Sequence, residues 1–304
     1  MIEDLLCTGG CAFLSAKASV LIALMRCLAV LSLASVSPVT LGMSSAWAGP
    51  PFVTDDPEPV EYRHGEFYLA SQYAHHRDGL SMTAPHFECN LGLLPETQIH
   101  AIVPFAYEDP TAGSPQYGLG DTELGVKYRF IQESDWRPQV GVFPLLELPT
   151  GDSKRGLGES RTRIFLPFWL QKSWGPWTTY GGAGYWLHPG PGNDNYWFLG
   201  WLLQREIFKG LTVGAEVFHE TRSEVGGTGH TGFNIGTIVD LSEDHHFLFS
   251  AGRDFHGDNL LSYYVAYLWT FGVSEEREGR NLAKRAGKIH SENMQQAYFP
   301  PGQN

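Results

Sequence analysis

The chain has 304 residues, enough for one large domain or two small ones, and carries 21 Lys and Arg against 33 Asp and Glu for a net charge of −12. That balance, with no dense basic cluster, excludes the footprint of a nucleic-acid binder. Three of the four Cys (Cys7, Cys11, Cys27) precede residue 48, so Cys89 alone remains beyond it and neither a disulfide framework nor a thiolate zinc site is available there.

From Met25 the chain reads MRCLAVLSLASVSPVTLGMSSAWA. A basic residue, an apolar run and the small-x-small triplet Ala46-Trp47-Ala48 predict a secretory signal over 1–48, cleaved after Ala48, with Met25 as the better start. An uncleaved anchor is disfavoured by Arg26 in the apolar run, where insertion costs about 2.5–3.5 kcal/mol. Beyond residue 48 no stretch has the ~20 apolar residues of a membrane helix. Residues 49–63 (GPPFVTDDPEPVEYR) hold four Pro and four acidic residues and read as an extended periplasmic lead-in.

Between 64 and 272 twelve strand-like segments follow, near 65–76, 83–93, 97–108, 120–131, 138–149, 161–172, 177–188, 195–206, 211–221, 230–241, 245–256 and 261–272. Each approaches the ~9–11 residues a tilted membrane strand needs. The connections after even-numbered segments are brief; those after odd-numbered segments are mostly longer and rich in Gly, Pro and Asp. Such alternation predicts an antiparallel transmembrane β-barrel with periplasmic short turns and both termini on the periplasmic side.

The stretch 118–152 carries the clearest period. Leu124, Val126, Tyr128 and Phe130 share one face with Thr122, while Asp121, Glu123, Gly125, Lys127 and Arg129 share the other. A face with both charge signs suits a polar lumen, and its apolar opposite suits lipid. A soluble sandwich would expose too much apolar surface. Segments 177–188 and 195–206 leave the register ambiguous. Outward Tyr128, Phe130, Trp269 and Phe271, with Trp136 and Trp174 at turns, predict an aromatic girdle.

On this register the lumen is lined by Glu66, Glu88, His100, Glu108, Asp121, Glu123, Glu147, Glu216, Glu220, Asp240 and Asp254, with Lys127, Arg129, Arg161 and Arg163 among them. Two readings stay open: a selectivity lining, favouring cations or neutral solutes, or ion pairs filling a narrow barrel. The Gly pair at Gly118 and Gly120 precedes no helix, so it is no phosphate loop; Gly125 leaves room between larger lumen side chains. Histidines gather toward the long loops, but adjacent His75 and His76 face opposite ways, so no metal site is expected. Nor does any Ser pair with His219 or His230 as nucleophile and base. No catalytic set and no cofactor are expected.

GLGDTELGVKYRF at 118–130, PTGD at 149–152 and FVTDDPEPVEYRHGE at 52–66 resemble the phenol-degradation (meta-pathway) outer-membrane family, whose members are often labelled transporters. The resemblance implies a Gram-negative outer-membrane channel taking up small aromatic or hydrophobic compounds, with the bilayer and the barrel-assembly machinery as partners. The alternating Tyr263, Val265, Tyr267, Trp269 and Phe271 resemble an assembly signal, which in the family usually closes the chain; here 273–304 follow, expected to be a polar periplasmic tail without fixed structure.

Overall fold

The computed structural model describes residues 50–272; the expected signal and the polar tail lie outside the described residues. The strand segments are β1 (His64–His76), β2 (Gly79–Leu94), β3 (Thr97–Pro110), β4 (Gln116–Leu119), β5 (Thr122–Ile131), β6 (Gln139–Val142), β7 (Leu145–Leu148), β8 (Arg163–Trp174), β9 (Trp177–Leu187), β10 (Tyr196–Phe208), β11 (Leu211–Glu220), β12 (His230–Asp240), β13 (His245–His256) and β14 (Asn259–Gly272). β4 and β5 are two pieces of one strand along β3. β6 and β7 are likewise one strand between β5 and β8. The wall therefore has twelve antiparallel strands. β1 pairs with β14 from His64↔Gly272 to His76↔Asn259, closing the cylinder so that no edge is left unpaired.

Period-two patterning is what made these strands legible, and most boundaries agree with the sequence to within a few residues. Two hairpins are tighter than expected. β1 turns into β2 through Arg77-Asp78 and β13 into β14 through Gly257-Asp258, so β2 starts at Gly79 and β14 at Asn259. Arg161 needs correction: β8 begins only at Arg163, and Arg161 is exposed in the preceding loop. Asp121 also lies off the strand, in the two-residue break between β4 and β5.

The outward face is an apolar belt. Leu124, Val126, Tyr128 and Phe130 on β5, Trp197, Leu199, Trp201 and Leu203 on β10, and Phe247 and Phe249 on β13 are all exposed. Water would disfavour so much apolar surface, and hydrocarbon would not. The ambiguous pair is thereby settled: Tyr180, Phe198, Leu202 and Gln204 point inward. Near the short turns Tyr128 sits 6.4 Å from Phe130 and Trp269 4.9 Å from Phe271 between ring centres, with Trp136 and Trp174 exposed beside them.

Candidate functional site

The lead-in has no regular structure, as its prolines dictate, yet it enters the barrel. It leaves the bottom of β1 and crosses the lumen as a strap. Val60 N donates to Gln98 Oε1 (2.8 Å). Glu58 Oε2 accepts from Gln139 (3.0 Å) and Gln171 (2.9 Å). Lys127 Nζ reaches Asp55 Oδ1 at 2.9 Å and Asp56 Oδ2 at 3.5 Å. On the far wall the Glu216 carboxylate takes Val53 N (2.9 Å), Thr54 N (2.8 Å) and the Asn234 amide (2.6 Å). Ser250 donates to Pro51 O.

A trough of glycines makes this seat. A Cβ at Gly200 would stand 2.2 Å from Thr54 Oγ1, while Cβ atoms at Gly214 and Gly236 would come within 3.0 and 2.9 Å of the Phe52 ring. Thr54 and Asp56 are fully buried. Burial of two carboxylates beside one ammonium is tolerable only because hydrogen bonds and the Lys127 charge compensate it.

The expected lining residues separate into those that hold the strap, those that pair along the wall and those at the mouth. Lys127, Arg129 and Glu216 are strap-holders: Arg129 lies 3.7 Å from Glu58 and donates to Glu96 and, at 2.7 Å, to Gln139. Along the β1–β3 wall, Tyr68 donates to Glu66 (2.9 Å) and Asn90 to Glu88 (2.9 Å). His100 joins Asn90 (2.6 Å) to Glu123 (2.9 Å). Asp240 binds His246 (2.7 Å) near the short turns. At the mouth Glu147 pairs with Arg163, and Asp121 accepts the backbone N–H of Gly151 (2.8 Å) and of Glu159, which fixes the longest loop. Glu108, half-buried, faces Ser81 at the loop end of β3. Outside the strands, Arg129 holds the Glu96 carboxyl below the usual carboxylate range.

Above the strap the lumen turns aromatic. Phe143, Leu145, Phe165, Trp169, Phe198 and Phe218 form a buried cluster, with Trp186 against it. Trp186 stacks on Phe165 at 4.7 Å, and the Arg163 guanidinium lies over Trp186 at 5.2 Å. Lys127 Nζ sits 4.9 Å above the Phe143 ring, so the strap's clamp touches the floor of the cluster. Gly125 makes room for it, since a Cβ there would meet Leu145 at 2.5 Å and Phe143 at 2.8 Å. His230 at the rim meets Glu220 (3.2 Å) and Asp254 (3.5 Å). Ser250, the β13 serine on the inward face, is committed to the strap.

Strap and aromatic cluster both escaped the sequence reading. The available signals were acidic Asp55, Asp56 and Glu58 ahead of a barrel with inward Lys127 and Arg129, and inward glycines on three successive strands, of which Gly214 and Gly236 are directly paired.

The closed cylinder with a lipid-facing exterior and a hydrogen-bonded polar interior has one home. It is a Gram-negative outer-membrane β-barrel. Its fold is similar to that of an outer-membrane channel from Pseudomonas putida F1, at 15% identity and a TM-score of 0.59, with 71% of this chain and 98% of that chain covered. The NanC porin matches at 10% identity and a TM-score of 0.48 (68% and 98% covered), and the CymD monoaromatic hydrocarbon channel at 8% and 0.41 (70% and 89% covered). No family model matches the sequence, and no curated protein matches it either.

Proposed function

We propose that the barrel is a passive uptake channel for small apolar or aromatic molecules, with no catalytic role. One observation carries this: a cluster of aromatic side chains lines the β6–β11 side of the bore toward the long loops, and the barrier beneath it is a strap held by hydrogen bonds and ion pairs. Rings lining a bore suit rings passing through it, because stacking and apolar contact need no fixed hydrogen-bond partner. The motifs resembling the phenol-degradation family support the same solute class, and the similar fold of the Pseudomonas putida F1 channel supports passage.

Lining charges take a narrower part in this reading. Lys127 and Arg129 serve the strap, which leaves Glu123, His100, Glu147 and Arg163 to set selectivity above it. The signal ending at Ala48 and recognition of the outward β14 row (Tyr263, Val265, Tyr267, Trp269, Phe271) by the assembly machinery complete the proposal.

The pairing of nearly every buried lumen charge favours a second reading, a structural or sensory barrel that never opens. Toluene flux into liposomes carrying the purified protein decides between them. Flux above that of protein-free liposomes is expected. Its absence, together with absent ion conductance in planar bilayers, would leave the closed barrel.

A further inference from the structure

The strap follows the inner wall at roughly one strand per residue as it nears its start. Thr54 lies against Gly200 on β10, and the Val53 and Thr54 amides meet Glu216 on β11. The Phe52 ring sits over Gly214 and Gly236 on β11 and β12, and Pro51 O accepts from Ser250 on β13. Continued for two residues, the same course leads to β14 and β1. Ser250 pairs directly with Tyr264 on β14, and Tyr264 pairs with Gln72 on β1.

That side of the lumen is short of positive charge. β1, β2 and β14 contain no Lys or Arg, and the one Arg of β13, Arg253, is exposed. Yet Glu66 and Glu88 point inward and are only 8% and 5% exposed. Glu66 accepts from Tyr68 and Asn90, and Glu88 accepts from Asn90, all neutral donors. The bases that face Glu88 are imidazoles, His86 Nε2 and His100 Nδ1, each 3.6 Å away. His100 is shared with Glu123 at 2.9 Å.

A buried carboxylate served mainly by neutral donors keeps part of its desolvation cost. Beside Glu88 two further polar atoms are buried without a hydrogen bond, His86 Nε2 and Tyr264 Oη. Their rings meet edge to face at 6.5 Å. A carboxylate, an imidazole nitrogen and a hydroxyl oxygen together suit an ammonium, which brings three donors and one positive charge.

Hydrolysis after Ala48 supplies such a group. The peptide bond splits into a carboxylate on Ala48 and an amine on Gly49, and that amine is protonated below its ordinary pKa of about 7.7–8.0. Each extended residue spans about 3.3–3.6 Å, so two residues are enough to bring the nitrogen from Pro51 to the Tyr264 side chain. We propose that signal cleavage completes the strap: the α-ammonium of Gly49 docks on Glu88, Tyr264 Oη and His86 Nε2, and the barrier is locked only in the processed chain. In the precursor the same nitrogen is an uncharged amide with a single hydrogen, which cannot serve three acceptors. This rests on cleavage after Ala48.

Mass spectrometry of the purified barrel fixes the terminus first. A chain that begins elsewhere than Gly49 overturns the cleavage reading and the docking together. With Gly49 first, an amine-reactive ester is expected to modify it several-fold more slowly in the folded barrel than in urea. Glu88→Gln is expected to speed that reaction several-fold and to bring the midpoint of its pH profile, raised in the parent, back to about 8. Planar bilayers should then show more frequent high-conductance openings. A glycine inserted after Ala48 displaces the amine without touching the wall and is expected to match Glu88→Gln; Tyr264→Phe should act in the same direction more weakly. Glu61→Gln, at an exposed carboxylate, is expected to change nothing. A Gly49 amine that reacts equally fast in the folded parent, in Glu88→Gln and in the inserted chain overturns the docking and leaves cleavage standing.

Discussion

The two halves of the lumen hold different occupants. Toward the short turns the interior seats the strap: Gln98, Lys127, Gln139, Gln171 and Glu216 each hold it, beside a buried apolar cluster that includes Tyr68, Ile238, Leu248 and Leu268. Toward the long loops a cluster of rings packs by contact on the β6–β11 side, below the charge pairs Glu147–Arg163 and Glu220–His230. Hydrogen-bonded charge gives a fixed occupant with one geometry, because each buried polar group left unpaired costs about 1–3 kcal/mol. Aromatic contact is less particular about partner and orientation. The polar half thus acts as a barrier and the aromatic half as a place for visitors.

Several substitutions would break or sharpen that contrast. The largest effect is expected from deleting residues 51–60: single-channel conductance should rise several-fold, and an unchanged value would mean that the polar half is not the barrier. Glu216→Ala comes next. It strips acceptors from Val53 N, Thr54 N and the Asn234 amide, at about 1–3 kcal/mol for each donor left dry. The expected result is intermediate conductance and proteolysis within 51–60 that the parent resists.

Phe143→Ala with Trp186→Ala probes the other half. Toluene uptake should fall several-fold with potassium chloride conductance unaltered; the reverse pattern would dissolve the distinction between the halves. Gly125→Val acts at their junction, where a Cβ would crowd Leu145 and Phe143. Overpacking of this kind costs about 1–3 kcal/mol, so the barrel should lose its heat-resistant gel mobility at a lower temperature.

The smallest effect concerns pH. Glu96 is held below the usual carboxylate range by Arg129. Its contribution is therefore present above the ordinary carboxylate pKa and is lost as pH falls through the depressed value. Glu96→Gln should flatten this acid-side loss of heat resistance slightly, and an identical pH profile for variant and parent would assign the loss elsewhere.

Sequence made the wall legible because one face of each strand must meet lipid, which imposes a period of two on 64–272. Thr122 to Phe130 could be assigned to faces residue by residue on that basis. β9 and β10 could not, since Gly181, Gly182 and Gly184 leave one strand little contrast and Trp197 to Leu203 make the other apolar on both faces. Arg161 was misplaced for a different reason: strand ends at loops carry no period, and the loop fixed by Asp121 reaches further than its composition shows. Strap contacts are long-range pairings between an aperiodic segment and side chains up to 199 positions away. No local pattern encodes them; charge matching between Asp55, Asp56 and Lys127 and the inward glycines of three strands were the only hints at the seat.

The most direct test is a disulfide between Thr54→Cys and Gly200→Cys in the Cys89→Ser background, made in intact outer membranes. A Cβ on Gly200 would lie 2.2 Å from Thr54 Oγ1, so with slight adjustment the bond should form without catalyst in the folded barrel, and the oxidised protein should keep the low conductance of the seated strap. Folded, heat-modifiable barrel in which the two thiols stay unlinked, or a cross-linked barrel conducting like the 51–60 deletion, would contradict a strap lying across the lumen.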